Sequence, residues 1–242
     1  MQVVAIIPAR YASTRLPGKP LLHQTGKPLI QHVVEAAGRA QSLHAVYVAT
    51  DDQRIFDAVA GFGGKPLMTR SDHATGTDRL AEAAGKLGLG DDDVVVNLQG
   101  DEPEMDPANI DRLVNLLLTS GAPMATLAAP LDAQSAENPN NVKVVLDRDG
   151  AALYFSRARI PFDRDNTGAG CLLHLGIYAY RKGFLLEFAR MAHTPAEQAE
   201  KLEQLRALEH GRRIVAAVVA PAAPGIDTPE DYEAFVSRQQ RR

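Results

Sequence analysis

A chain of 242 residues, 45% hydrophobic and 23% charged, is long enough for one sizeable α/β domain, and its apolar residues are spread too evenly to divide it. A formal net charge of −4 excludes a general nucleic-acid binder, because counterion release needs a basic face and the only basic cluster beyond the first loop is the terminal RQQRR. With Cys171 the sole cysteine, no apolar run of bilayer length and no signal-peptide order at the start, the expectation is a cytoplasmic protein with no intrachain disulfide and no membrane or nucleic-acid partner.

In chain order, the β-branched run at residues 3–7, bounded by Pro8, predicts a buried strand that ends in a loop carrying Arg10, Arg15 and Lys19. Leu29, Val33 and Ala36 then share a helical face within residues 28–40, and AVYVAT at 45–50 is a second strand. A helix is predicted over 52–62, stopped by Gly63 and Gly64, followed by a short strand at 65–69. Thr77 is the expected N-cap of a helix over 78–87, with Asp78 complementing its dipole, and VVVNL at 94–98 is the next buried strand. Further on, strands are predicted at 123–131 and 141–147 around a polar turn at 137–141, with an extended segment at 152–162 interrupted by Pro161. Another strand follows at 173–181. Thr194, Pro195 and Glu197 form a capping-box start to a helix that runs to Gly211, residues 214–220 make the last strand, and Thr228, Pro229 and Asp231 open a final helix. The alternation predicts an α/β fold: an open, twisted, mostly parallel (mixed) sheet with helices on both faces.

Three constellations carry chemistry. Arg10, Arg15 and Lys19 share a loop containing Pro17 and Gly18, directly after the first buried strand, where guanidinium forks and an ammonium suit a polyphosphate. The loop is neither a Walker A sequence nor a GxGxxG turn. In LQGDEP, Asp101 follows the 94–98 strand at the same sheet edge and is a candidate Mg²⁺ ligand, with Glu102 and Asp106 in competition. Asp227 precedes the cap of the last helix, where Thr228 and Asp231 already serve the terminus, so it is open either to a second metal contact or to simple turn solvation.

Taken together, IIPARYASTRLPGKPL, VATDD, TRSDHATGTDRL, VNLQGDEP, NPNNVKVVLD, LYFSRARIP, HLGIYAYR, LEQLRALEHG and IDTPEDYE resemble the 3-deoxy-manno-octulosonate (Kdo) cytidylyltransferases, also called CMP-Kdo synthetases, along essentially the whole chain. The resemblance implies a nucleotide-diphospho-sugar transferase-like fold and a nucleotidyltransferase that joins CTP and Kdo into CMP-Kdo with release of pyrophosphate, using Mg²⁺, in lipopolysaccharide synthesis. It implies catalytic roles for Arg15, Lys19 and Asp101, and CTP binding by Arg10, Arg15, Lys19, Thr75, Gly76, Thr77, Arg79 and Gln99. Metal ligation falls to Asp101 and Asp227. Kdo binding falls to Arg157, His174, Tyr178, Glu203 and Gln204, and a homodimer is implied, with residues 151–195 a dimerisation and sugar-site subregion.

Each of these residues also has a plainer reading: helix capping for Thr77, a turn for Gln99, a partly buried pair for His174 and Tyr178, and mid-helix solvation for Glu203 and Gln204. Two features depart from the family pattern. Leu173 stands where a basic residue usually precedes the histidine of HLGIY, and the polar segment 163–171 is short. The rivals to Kdo transfer are a cytidylyltransferase for another acidic sugar, amino-Kdo or sialic acid, and a nucleotide-binding relative without chemistry.

Overall fold

The computed structural model describes residues 1–12, 16–165, 167–221 and 225–241. Among the described residues the strands join in one nine-stranded sheet: β1 (Val3–Ala9), β2 (Ala45–Thr50), β3 (Lys65–Met68), β4 (Val94–Asn97), β5 (Met124–Leu131), β6 (Lys143–Leu146), β7 (Ala152–Ser156), β8 (Cys171–Arg181) and β9 (Ile214–Val218). Its spine runs β3-β2-β1-β4-β8-β5-β9. β1 to β4 are parallel neighbours, as are β5 and β9, but β8 runs antiparallel to both β4 and β5, and the β6–β7 ribbon is antiparallel where it joins β8. The parallel character is therefore confined to the two ends of the spine. The order reverses between β1 and β4, and such a switch point opens a crevice at the strands' carboxyl ends.

The helices are α1 (Leu29–Ala37), α2 (Gln53–Gly61), α3 (Gly76–Lys86), α4 (Pro107–Ser120), α5 (Ala133–Ala136), α6 (Lys182–Phe188), α7 (Pro195–Glu200), α8 (Gln204–Glu209) and α9 (Pro229–Gln240). Period-two alternation in β1 sends Val3, Ala5 and Ile7 into one core with Val33 of α1, Ile55 of α2 and Ile110 of α4, and Val4 and Ile6 into a second with Leu80 of α3 and Leu205 of α8. Both faces of the sheet are thus covered, which is why its central strands read as unbroken apolar runs. α9 docks Tyr232, Phe235 and Val236 against Leu29 of α1, bringing the chain's end back to its start. No helix among the described residues is long and apolar enough to cross a membrane.

Several boundaries differ from the sequence expectation. Pro8 lies inside β1 rather than beyond it; β4 pairs only as far as Ile6, so the missing N–H at Pro8 falls past the last β4 partner. The cap of α3 is Thr75, not Thr77: the Thr75 hydroxyl accepts from Asp78 N at 3.1 Å and the Asp78 carboxylate accepts from Thr75 N at 3.0 Å, a complete capping box two residues earlier. That frees the Thr77 side chain. α4 and α6 were not anticipated, although Asp106 and Pro107 make an N-cap and first-turn pair ahead of Ile110, Leu113, Val114 and Leu117. The helix expected from Thr194 to Gly211 is two helices, because Lys201 adopts a left-handed backbone (φ 54°, ψ 45°) and ends α7.

Candidate active site

The carboxyl ends of β1 and β4 approach closely: a Cβ added at Gly100 would lie 3.2 Å from the Pro8 carbonyl oxygen, so a side chain there would press the loops a few tenths of an ångström apart. Beyond β1, Arg10 Nη2 donates to the carbonyls of His73 (2.8 Å) and Thr75 (3.3 Å), tying the first loop to the start of α3. Arg15 lies outside the described residues. Gly18, with φ at 67° and packed against the Tyr11 ring, turns the chain into the short 3₁₀ segment Lys19–Leu21. From there Lys19 Nζ donates to Asp101 Oδ2 at 2.8 Å, to the Ile226 carbonyl at 2.8 Å and to Asp227 Oδ1 at 3.4 Å.

Asp101 and Asp227 are 126 positions apart in the chain, and a backbone bond from Ile226 N to the Asp101 carbonyl (2.9 Å) brings their loops together. The competing carboxylates take other places. Asp106 caps α4, accepting from Ala108 N at 3.0 Å. Glu102 keeps Oε2 enclosed with no partner among the described residues, and burial, then the charge of Asp101, pushes its carboxyl up to about 7.

One cavity adjoins this cluster, and a second lies across Gln99 from it. The larger, about 390 Å³, is lined by Glu102, Asp227 and Asp231 on one side and by Leu173, His174 and Gly176 on the other. The smaller, about 160 Å³, is lined by Gly76, Thr77, Asn97, Tyr178, Glu203 and Gln204, with Gln99 at its edge. Gln99 Nε2 donates to the Gly176 carbonyl at 3.3 Å, so this one bond joins a wall of each cavity.

A bulge in β8 separates the residues expected to meet a sugar. The pairing register with β5 jumps between Thr126 opposite Tyr178 and Leu127 opposite Leu175, so His174 faces the larger cavity while Tyr178 faces the smaller, their rings 5.3 Å apart. The Thr126 hydroxyl donates to the Ile177 carbonyl at 2.7 Å, and its single proton is spent there; His174 Nε2, 3.0 Å away, must therefore carry the hydrogen and donate to it. Burial lowers the His174 pKa to about 3, so the ring is neutral and is no acid or base near pH 7. Burial, then the charge of Glu203, raises the Tyr178 phenol above its usual range.

Glu203 and Gln204 are not mid-helix. Glu203 caps α8 and Gln204 begins it, buried, because the break at Lys201 turns them toward the smaller cavity. Glu203 Oε2 accepts from the freed Thr77 hydroxyl at 2.7 Å and Oε1 from Arg206 Nη2 at 3.2 Å; Arg206 is itself buried and forked onto Glu197 at 2.6 and 2.9 Å.

Two expected contacts lie elsewhere. The Arg79 guanidinium is fully buried, pairing with Asp51 at 3.2 Å and Thr69, away from both cavities. Arg157 lines neither cavity; its Nε donates to the Glu200 carbonyl at 2.7 Å and its Nη1 to the Pro139 carbonyl at 3.1 Å, which pins the end of α7 just ahead of Glu203.

This arrangement, cationic loop and paired carboxylates at a switch point beside polar cavities, coincides with a family model described as cytidylyltransferase, which matches residues 4–214. The chain belongs to the cytidylyltransferase family. It is 56% identical over 240 residues, 98% of this chain and 96% of the relative, to a 3-deoxy-manno-octulosonate cytidylyltransferase of Syntrophobacter fumaroxidans. It is 52% identical over 241 residues, 98% of each chain, to an 8-amino-3,8-dideoxy-manno-octulosonate cytidylyltransferase of Shewanella sediminis. Among solved structures, a CMP:2-keto-3-deoxy-manno-octonic acid synthetase complexed with CTP superposes with a TM-score of 0.95 at 45% identity, covering 100% of this chain and 99% of that one. A cytidylyltransferase from Leptospira borgpetersenii, 19% identical with a TM-score of 0.67 over 100% of this chain and 88% of that one, shares the fold.

Some residues that shape this cytidylyltransferase's cavities were not singled out from sequence. Asn97, an amide closing an apolar strand, is the one with a readable signal; Thr126 and Arg206 sit inside ordinary strand and helix patterns, Thr126 acting through His174, 48 positions on, and Arg206 through Glu203, three positions back.

Proposed function

We propose that this chain transfers the cytidylyl group of CTP to Kdo, giving CMP-Kdo and pyrophosphate for lipopolysaccharide assembly, in a single domain of residues 1–242 and in the cytoplasm. The observation that carries this reading is the convergence of Lys19 on Asp101 and Asp227 beside one polar cavity and across Gln99 from another, in a chain 56% identical to a Kdo cytidylyltransferase.

Arg10, Arg15 and Lys19 are the phosphate-binding cations, with Arg15 and Lys19 opposing the charge that develops on departing pyrophosphate. Asp101 and Asp227 fit a Mg²⁺ site, since both carboxylates already reach a single cationic atom, Lys19 Nζ, and Mg²⁺ needs only one or two carboxylates when phosphate oxygens and water complete its shell. Asp101 and Asp227 would hold the ion, whose Lewis acidity would help to polarise a bound phosphate. Gly76, Thr77 and Gln99 line the smaller cavity where nucleotide and sugar meet, Thr75 holds the Arg10 guanidinium through its carbonyl, and Arg79 anchors α3 from within the core.

The anomeric hydroxyl of Kdo attacks the α-phosphorus in line with the leaving pyrophosphate, so the protein's contribution is positioning and charge stabilisation. Tyr178, Glu203 and Gln204 hold the sugar from the smaller cavity and His174 from the larger; Arg157 acts by fixing the end of α7. A homodimer through residues 151–195 accords with Leu153 and Phe162, 61% and 83% exposed.

A second reading is favoured by the Shewanella relative: the 8-amino sugar. Kdo is preferred because the identity is higher to the Kdo enzyme, 56% against 52%. Pyrophosphate release with CTP and Mg²⁺, compared among Kdo, 8-amino-Kdo and sialic acid, tests this. Fastest release is expected with Kdo; fastest release with another sugar reassigns the acceptor, and CTP binding without release from any of them leaves a non-catalytic relative.

A further inference from the structure

Asn97 closes β4 between the fully buried Val96 and Leu98. Its side chain is 5% exposed, and Oδ1 meets no partner among the described residues. It lines the smaller cavity, and of the residues around that cavity it alone carries an enclosed side-chain atom left unpaired. The Asn97 nitrogen lies on the side of the Tyr180 phenol, which burial, then Tyr178 and Glu203, hold well above its usual range and so protonated, and Oδ1 is the atom left enclosed without a partner among the described residues. The oxygen is then the atom in want of a donor.

A water molecule can supply that donor in a cavity of about 160 Å³, but a ligand that fills the cavity displaces the water and must replace its hydrogen bond or forfeit affinity. The ligand group must donate. A carboxylate cannot, and it would also face the charge of Glu203 on the same wall.

We propose that Asn97 is a specificity-determining contact for the acceptor sugar: its Oδ1 accepts from a sugar hydroxyl in the smaller cavity and, together with Glu203, keeps the sugar's carboxylate out of that cavity. The contact thereby orients the sugar as well as selecting it. The inference rests on the Kdo-transfer reading and names one group of that site.

The test is steady-state kinetics on Asn97→Leu and, on the unaltered protein, with Kdo analogues lacking one hydroxyl at a time. The variant is expected to raise KM for Kdo about tenfold to a hundredfold while KM for CTP stays within about twofold, because a site built around a hydrogen bond rejects what cannot complete it. The ligand-free variant is expected to melt at the same temperature or higher, since an unmet buried acceptor has been removed; a purely structural amide would instead lower it. At least one deoxy analogue is expected to lose a similar factor on the unaltered protein.

An unchanged KM for Kdo, or KM for both substrates rising together, overturns the proposal. Should Asn97→Leu not fold, the analogues decide: equal kcat/KM for all of them overturns it. If the unaltered protein releases no pyrophosphate from CTP and Kdo, the transfer reading itself falls and takes this contact with it. Turnover that is indifferent to Asn97 removes only the contact.

Discussion

The lysine–carboxylate cluster and the smaller cavity lie on one sheet but are assembled by opposite means. Lys19 opens the 3₁₀ segment and Asp101 and Asp227 sit in loops after β4 and before α9, all partly in water, and each charge meets an opposite charge. The cavity depends on interruptions: the bulge in β8, the break at Lys201, and a capping box that releases Thr77. Charge gathers at strand ends without breaking the sheet. An enclosed polar surface needs the regular elements to stop at chosen places, because side chains along an unbroken strand or helix face a fixed direction.

That contrast can be tested from its larger effects downward. Asp101→Asn is expected to cut pyrophosphate release by about a thousandfold, the scale of losing a preorganised charge at the reacting phosphate, with circular dichroism and melting temperature unchanged. Retention of most activity would remove Asp101 from the chemistry. Arg79→Met, in the same half of the molecule, is expected to do the reverse. It leaves Asp51 without its buried partner and costs about 3 kcal/mol of stability by denaturant titration, while KM for CTP holds.

The two regions carry pH signatures of opposite sign: Glu102 beside Asp101, pushed up to about 7 by burial, contributes stability that rises as pH falls from about 7 toward the ordinary glutamate value, and His174 contributes the reverse. His174 in the folded protein has its pKa lowered to about 3, whereas in the unfolded chain it titrates near the ordinary histidine value. Between those values the unfolded state binds the extra proton, so this contribution to stability falls as pH falls below about 6.5, by up to about 1.4 kcal/mol per pH unit, and levels off below about 3. His174→Gln is expected to remove that acid-side loss in melts recorded between pH 7 and pH 5; an unaltered slope would assign it to other groups. The smallest effect expected is that of Thr77→Val, which removes one hydrogen bond from Glu203. KM for Kdo should rise about fivefold to tenfold with little change for CTP, and equal rises in both would place Thr77 on the nucleotide side instead.

The same contrast explains what the sequence could tell. β1, β2 and β4 are covered on both faces and so read as apolar runs, and the capping boxes at Thr194 and Thr228 declare their helices through residue types three positions apart. Asp101 was legible because the strand before it was. α4 escaped because its first turn shares a stretch with the carboxylates, so that Asp106 drew a metal reading when its spacing to Ala108 and the following Pro107 make it a cap. Thr75 and Thr77 are both threonines ahead of a helix, and only the three-residue step to Asp78 separates them. The Lys201 turn left no mark, since it involves neither the Gly nor the Pro that usually announces such a departure, whereas the β8 bulge carried one, Gly176, that passes for an ordinary strand residue inside HLGIY. Arg157 and Arg79 show the converse: each stands in a motif that reads as a ligand contact, and the fold turns one to backbone carbonyls and the other to Asp51 and Thr69.

Lys201 itself is exposed and lines neither cavity. Had its backbone stayed right-handed, α7 would have run on, each later side chain swung by the usual helical step, and the addresses of Glu203 and Gln204 would belong to other residues. Pocket composition in this chain is thus set partly by a torsion angle at a bystander. A survey of substitutions that weighs only contacts would rank Lys201 as neutral, and glycine or asparagine there, which adopt the left-handed turn readily, are the replacements that would leave the pocket's occupants where they are.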